Sequence, residues 1–112
     1  MNEQQIQQEI RLAVASPSIR LFRNNVGKIK DAKGRLVTFG LCNGSADLIG
    51  FKSVTITPEM VGQNIAVFVS LEVKTPKGKI SEPQQAWCDM VASRGGIAGI
   101  CRSVDEAKDL LK

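Results

Sequence analysis

A chain of 112 residues is sized for one compact domain, expected here over 1–112, and 43% apolar content excludes a disordered chain. It contains no histidine and no tyrosine. That excludes a histidine base, a histidine zinc ligand and a covalent phosphotyrosine, so phosphoryl chemistry would have to run on carboxylates, lysine and metal. The net charge is +4, and between positions 10 and 46 lie seven basic residues and one acid, Asp31. Such a concentration suits a polyanion, nucleic acid foremost, or a solvated lysine-rich hairpin.

In chain order, residues 2–15 carry Ile6, Ile10, Ala13 and Val14 on a helical stripe, with Asn2 as N-cap and Glu3 in the first turn. Ser16-Pro17-Ser18 ends that helix. A strand over 19–25 follows, then a β-hairpin over 28–39 whose turn Asp31-Ala32-Lys33-Gly34 places glycine where φ is positive. A loop at 41–45 leads into a strand over 46–51. Thr57-Pro58-Glu59-Met60 marks a turn or single helical turn. The clearest strand is 65–75, with Val67, Val69, Leu71 and Val73 on one face, expected inward, and Ala66, Phe68, Ser70, Glu72 and Lys74 on the other. A polar loop precedes a helix over 81–95, started by a Ser81/Gln84 capping box and closed by Gly95. A short strand at 97–101 and a final helix behind a Ser103/Glu106 capping box complete the order α-β-β-β-β-β-α-β-α.

Cys42, Cys88 and Cys101 show no zinc spacing and are expected as reduced, buried or half-buried thiols. The longest apolar stretch, 65–73, holds Ser70 and Glu72 and is too short to span a bilayer, so no membrane partner is expected. No charged-then-apolar leader pattern opens the sequence. The expected location is the cytoplasm, or the nucleoid of a bacterial host if a phage or mobile element carries the gene.

The chemistry gathers around Glu72-Val73-Lys74. Residues two apart on a strand point the same way, so the carboxylate and the ammonium stand side by side. Taken alone, such a pair is more often a solvated strand edge. Asp47 supplies a second carboxylate. If 46–51 and 65–75 pair antiparallel with Asp47 opposite Glu72, the connection is centred between Glu59 and Met60, where the turn signal falls. Two carboxylates, a backbone carbonyl and waters are the hard-oxygen set that Mg²⁺ accepts. Such a metal would neutralise a scissile phosphate and help to generate hydroxide, and Lys74 would orient the water or stabilise charge on phosphate oxygen.

In its run of Gly44-Ser45-Ala46-Asp47-Leu48, then Glu72-Val73-Lys74, then the 77–84 segment ending in Gln84, the chain resembles the virus-type replication-repair nuclease family, VRR-NUC, a branch of the PD-(D/E)-x-K nucleases similar in layout to Holliday-junction resolvases. The resemblance runs over nearly the whole chain. It departs at Ala46, where the family has proline. The resemblance implies an α/β, restriction-endonuclease-like core, a central mixed sheet flanked by helices. It implies Asp47 and Glu72 as ligands of Mg²⁺, with Mn²⁺ substituting, and the Val73 carbonyl beside them. Lys74 becomes the catalytic lysine, Gln84 a positioning group, and Glu9 the acid of the first helix. Two roles stay open for Gln84, helix cap and site residue, and for Glu9, site residue and exposed helix acid. Asn24 and Asn25 either shape a turn or touch phosphate, and Trp87 is core in preference to a base-stacking platform. Arg23, Lys28, Lys30, Lys33, Arg35, Lys77 and Lys79 are the candidate DNA contacts.

The expected function is metal-dependent hydrolysis of DNA phosphodiesters to a 5′-phosphate and a 3′-hydroxyl. The preferred DNA is expected to be branched, such as a four-way junction, cut by a homodimer. The rivals are a non-catalytic DNA-binding module, an assembly subunit of a phage or mobile-element replication complex, and an RNA nuclease.

Overall fold

A computed structural model describes residues 2–112; Met1, inside the expected 1–112 domain, lies outside the described residues. The order of elements is α1 (Glu3–Val14), β1 (Ile19–Arg23), β2 (Gly27–Lys30), β3 (Leu36–Phe39), β4 (Leu48–Lys52), a 3-10 turn at Pro58–Met60, β5 (Val69–Val73), α2 (Glu82–Ser93), β6 (Ile97–Cys101) and α3 (Val104–Leu110). This mixed α/β order is the expected one. Its chain divides into two compact units, one ending at Lys52 and one beginning at Ser53.

The sheets are small. Three two-stranded ladders form, β1 with β4 and β2 with β3, both antiparallel, and β5 with β6, parallel. Neither the expected central mixed sheet nor the expected antiparallel partnership of 46–51 with 65–75 is among these described ladders. The reason is that alternation along a strand specifies its faces but not its hydrogen-bonding neighbour, which non-local packing selects.

In the first unit, Asn2 and Gln5 close a full capping box at the start of α1: each side chain accepts the other's backbone N–H at 2.9 Å. The β1–β4 register runs from Ile19 opposite Lys52 to Arg23 opposite Leu48, and the rings of Phe22 and Phe51 lie 6.4 Å apart across it. The hairpin turns where expected, with Gly34 at φ +79°, a conformation that costs a residue with a Cβ. Asp31 organises that turn. Its Oδ1 accepts the N–H groups of Lys33 and Arg35, both at 2.9 Å, and Oδ2 accepts Nε of Arg35 at 2.9 Å. The Arg35 backbone N–H foremost, then its guanidinium and the Lys33 N–H, hold the Asp31 carboxyl below its ordinary value against a smaller opposing effect of desolvation.

In the second unit, α2 and α3 pack on the β5–β6 ladder, and among the described residues Cys88, Val91 and Cys101 are buried there. Ser81 and Gln84 form the expected capping box of α2, and Gly95 follows the helix at φ +91°. The final helix has only half its expected box. Ser103 Oγ accepts from Glu106 N, but the Glu106 carboxylate accepts from the N–H of Arg102 instead of Ser103. Thr57 precedes the 3-10 turn in extended conformation without a side-chain cap bond, and Pro58 sits at its first position. Cys42 is exposed and all three thiols are free.

The expected long strand is shorter than 65–75, and of the face expected inward only Leu71 is half-buried. Val73 is 74% exposed and Val67 and Val69 are also exposed, whereas Phe68, Ser70, Glu72 and Lys74 are half-buried. The polar-bearing face is covered because α2 offers it partners: Trp87 Nε1 donates to Ser70 Oγ at 2.7 Å and Gln84 Nε2 donates to Glu72 Oε1 at 2.8 Å. Hydrogen-bonded polar groups can be covered at little cost. Trp87 is half-buried and faces this ladder from α2 through that polar anchor. Among the described residues, no helix is long and apolar enough to cross a membrane.

Candidate active site

Glu72 occupies the penultimate position of β5, and Lys74 follows the strand's last residue. Their spacing puts both side chains on the face beneath α2. The Lys74 ammonium lies 3.7 Å from Glu72 Oε1, with the two side chains 21% and 37% exposed. The same oxygen accepts the hydrogen bond from Gln84. Glu72 Oε2 takes no hydrogen bond from a described residue, so half of the carboxylate remains for a ligand.

Gln84 caps its helix and reaches Glu72 at once. Its Oε1 accepts the Ser81 N–H at 3.0 Å and its Nε2 reaches Glu72, while Ser81 Oγ accepts from Gln84 N at 3.3 Å. The cap therefore locks the amide's orientation: Oε1 is committed to the helix end, so Nε2 must face the strand. The adjacent Gln85 turns elsewhere and bonds Asp89 at 2.9 Å. Glu72, Pro83, Gln84, Trp87 and Cys88 line an open cleft of about 340 Å³.

The backbone carries a further signal. Ile97 N donates to Phe68 O at 2.8 Å, and Lys74 N donates to Cys101 O at 3.1 Å. Even-numbered residues of β5 thus turn their peptide groups towards β6, and odd-numbered ones turn theirs to the opposite edge. The Val73 carbonyl is therefore not spent on the β6 ladder.

Beyond Lys74 the chain turns, with Gly78 N donating to Thr75 O at 3.0 Å. Arg102, at the end of β6, holds that turn. Its Nη1 donates to Thr75 O at 2.6 Å and to Gly78 O at 2.8 Å. Sequence reasoning did not single out Arg102, which has no motif around it. Exposed Lys77 and Lys79 project from this turn and the segment after it.

In the first unit, Asp47 is exposed and stands one residue before β4. Its carbonyl accepts the Asn24 N–H at 2.8 Å, which extends the β1–β4 ladder by one pair. Glu9 is exposed on α1 and has no ion-pair partner among the described residues. Arg23 ends β1. In the β2–β3 ladder Lys28 opposes Thr38 and Lys30 opposes Leu36, so the two lysines share one face and Ile29 and Val37 share the other. Lys33 and Arg35 belong to the turn and its exit, and Arg35 is already ion-paired to Asp31.

Among the described residues, no three His, Cys, Asp or Glu side chains gather as a metal cluster. The donor chemistry nonetheless fits a divalent cation of the Mg²⁺ kind. In the second unit Glu72 has a carboxylate oxygen outside the Gln84 bond and Val73 a carbonyl directed away from its ladder, both hard oxygens.

A model of the VRR-NUC domain matches residues 1–105. No curated protein matches the chain. No solved structure matches it either.

Proposed function

The chain belongs to the VRR-NUC domain family, and on that premise we propose that it is a Mg²⁺-dependent endonuclease that hydrolyses phosphodiester bonds in DNA. Nuclease-type DNA processing is the general function that membership indicates, and divalent metals are the general cofactor of such nucleases. The finer reading takes the chain as one domain with a restriction-endonuclease-like core. The observation that carries it is the line from Gln84 through Glu72 to Lys74, at 2.8 and 3.7 Å.

Asp47, Glu72 and the Val73 carbonyl would hold the cation, with Mn²⁺ as a substitute and Glu9 as an additional carboxylate. When bound, the cation neutralises charge on the scissile phosphate and lowers the pKa of the attacking water. Lys74 places its ammonium against phosphate oxygen and orients that water. Gln84 fixes Glu72 through one oxygen and leaves the other outward. Water attacks phosphorus, the bond to the 3′-oxygen breaks, and that oxygen takes up a proton, leaving a 5′-phosphate and a 3′-hydroxyl. Arg23, Lys28, Lys30, Lys33, Arg35, Lys77 and Lys79 track the DNA backbone. The substrate in this reading is branched DNA cut by a homodimer, in the cytoplasm or nucleoid of a host cell.

The test is cleavage of end-labelled four-way junction, flap and linear duplex DNA with Mg²⁺ or Mn²⁺, with EDTA and Lys74→Ala controls. Paired symmetric cuts in the junction, abolished by EDTA and by Lys74→Ala, support the whole reading. Binding without cleavage under either metal overturns it in favour of a DNA-binding module. Light scattering that reports a monomer at micromolar concentration removes the homodimer.

A further inference from the structure

Asn24 turns both ends of its side-chain amide onto the segment that leads into Asp47. Its Nδ2 donates to Ser45 Oγ at 2.7 Å and to Ala46 O at 2.9 Å, and its Oδ1 accepts the Leu41 N–H at 3.1 Å. Its backbone N–H then bonds the carbonyl of Asp47 itself at 2.8 Å. One half-buried residue at the end of β1 thus grips the 41–47 segment at four points.

The segment needs such a grip. It is a tight turn in which Ser45 N donates to Cys42 O at 3.0 Å, with Gly44 at φ +88°, a region that favours glycine. Cys42, Asn43, Gly44, Ala46 and Asp47 are all exposed, so apolar packing does little to fix them. Ser45 is the half-buried exception. It is the inner end of the staple: its hydroxyl donates to Cys42 O at 2.7 Å while accepting from Asn24. The backbone from which the Asp47 carboxylate springs is set by hydrogen bonds, and those converge on Asn24.

We infer that Asn24 is a positioning residue for the Asp47 carboxylate, preorganising it as a ligand for a divalent cation. This rests on the reading of Asp47 as a metal ligand given above. Both Nδ2 donors of Asn24 are committed, so its side chain has no donor left for a phosphate oxygen, which separates this role from phosphate contact. A carboxylate held on a stapled turn meets a cation without first being ordered, and loss of a supporting group typically lowers metal affinity by about 10- to 100-fold.

The experiment is Mn²⁺ titration by calorimetry on the full chain, for wild type, Asn24→Ala, Ser45→Ala and Asp47→Ala, with thermal unfolding of each. Asn24→Ala is expected to weaken Mn²⁺ binding by about tenfold or more. The Mg²⁺ midpoint of cleavage should move in step, and the Kd for DNA without metal should stay unchanged. Ser45→Ala removes one of the four contacts and is expected to shift Mn²⁺ affinity in the same direction by less; it carries the test if Asn24→Ala fails to fold. A purely structural role would lower the unfolding midpoint and leave Mn²⁺ affinity in place, and that result overturns the inference. If Asp47→Ala abolishes binding while Asn24→Ala and Ser45→Ala bind as wild type, the inference alone falls. If Asp47→Ala also binds as wild type, Asp47 is no ligand and both readings fall.

Discussion

Gln84 closes the N-terminus of its own helix with one end of its amide and holds Glu72 with the other, at 3.0 and 2.8 Å. Helix start and carboxylate orientation are therefore one device. A glutamate at this position would keep the capping box, since either side chain can accept the Ser81 N–H, but it would replace the donor to Glu72 with a like charge. Gln84→Glu should unfold within a few degrees of wild type and lose most cleavage. Gln84→Ala should lose about 1 kcal/mol of stability along with cleavage. Thermal unfolding beside a cleavage assay distinguishes the two, and full activity in Gln84→Glu would remove Gln84 from the site.

Arg102 fastens the turn that follows Lys74 through two carbonyl oxygens. Arg102→Met keeps most of the stem, removes the guanidinium from Gly78 O and leaves Thr75 O with the Gly78 N–H alone. It should cost about 1–2 kcal/mol in urea unfolding, towards the low end because one of the two bonds is exposed. Hydrogen exchange of Gly78, whose N–H closes this turn, should speed up. Unchanged exchange at Gly78 would show that the turn stands without Arg102.

The hairpin turn should respond to acid and not to mild changes near neutrality. Asp31 has a folded pKa below its unfolded one, so its contribution is fully present above the unfolded value, about 3.9. It is lost as pH falls through the lower folded value. Protection of the Lys33 and Arg35 amides is expected to be level from about pH 7 to pH 5 and to fall only in stronger acid. Asp31→Asn should lower that protection at neutral pH and converge with wild type in acid. Protection in wild type that already falls between about pH 7 and pH 5 would contradict this account.

The basic residues should not contribute equally to DNA binding. Lys28 and Lys30 share a hairpin face, and each alanine substitution there should reduce the salt slope of DNA affinity by about 0.9. Lys77→Ala and Lys79→Ala should do the same. Arg35 lies 2.9 Å from the Asp31 carboxylate, which already offsets its charge, so Arg35→Ala should change the slope by less. A slope loss for Arg35→Ala equal to that for Lys28→Ala would show that DNA displaces the ion pair.

The order of elements was legible in the sequence, and so were the Asn2 and Ser81 caps, the glycine turn at Gly34 and the side-by-side placement of Glu72 and Lys74. Each depends on residues within about four positions of one another, where backbone geometry alone dictates who meets whom. What the chain could not announce was its non-local partners. Alternation in 65–75 separated valines from polar residues, and hydrophobicity alone would send the valines inward. Tertiary structure decided otherwise, because Trp87 and Gln84 on α2 hydrogen-bond Ser70 and Glu72 and so cover the polar-bearing face. The ladder partners of β4 and β5, the grip of Asn24 on the turn before Asp47, and Arg102 at the turn after Lys74 likewise join residues 17 or more positions apart. A hydrogen bond at such separation leaves no period in the sequence, since its cost and its geometry are set by the fold that closes the loop between its ends.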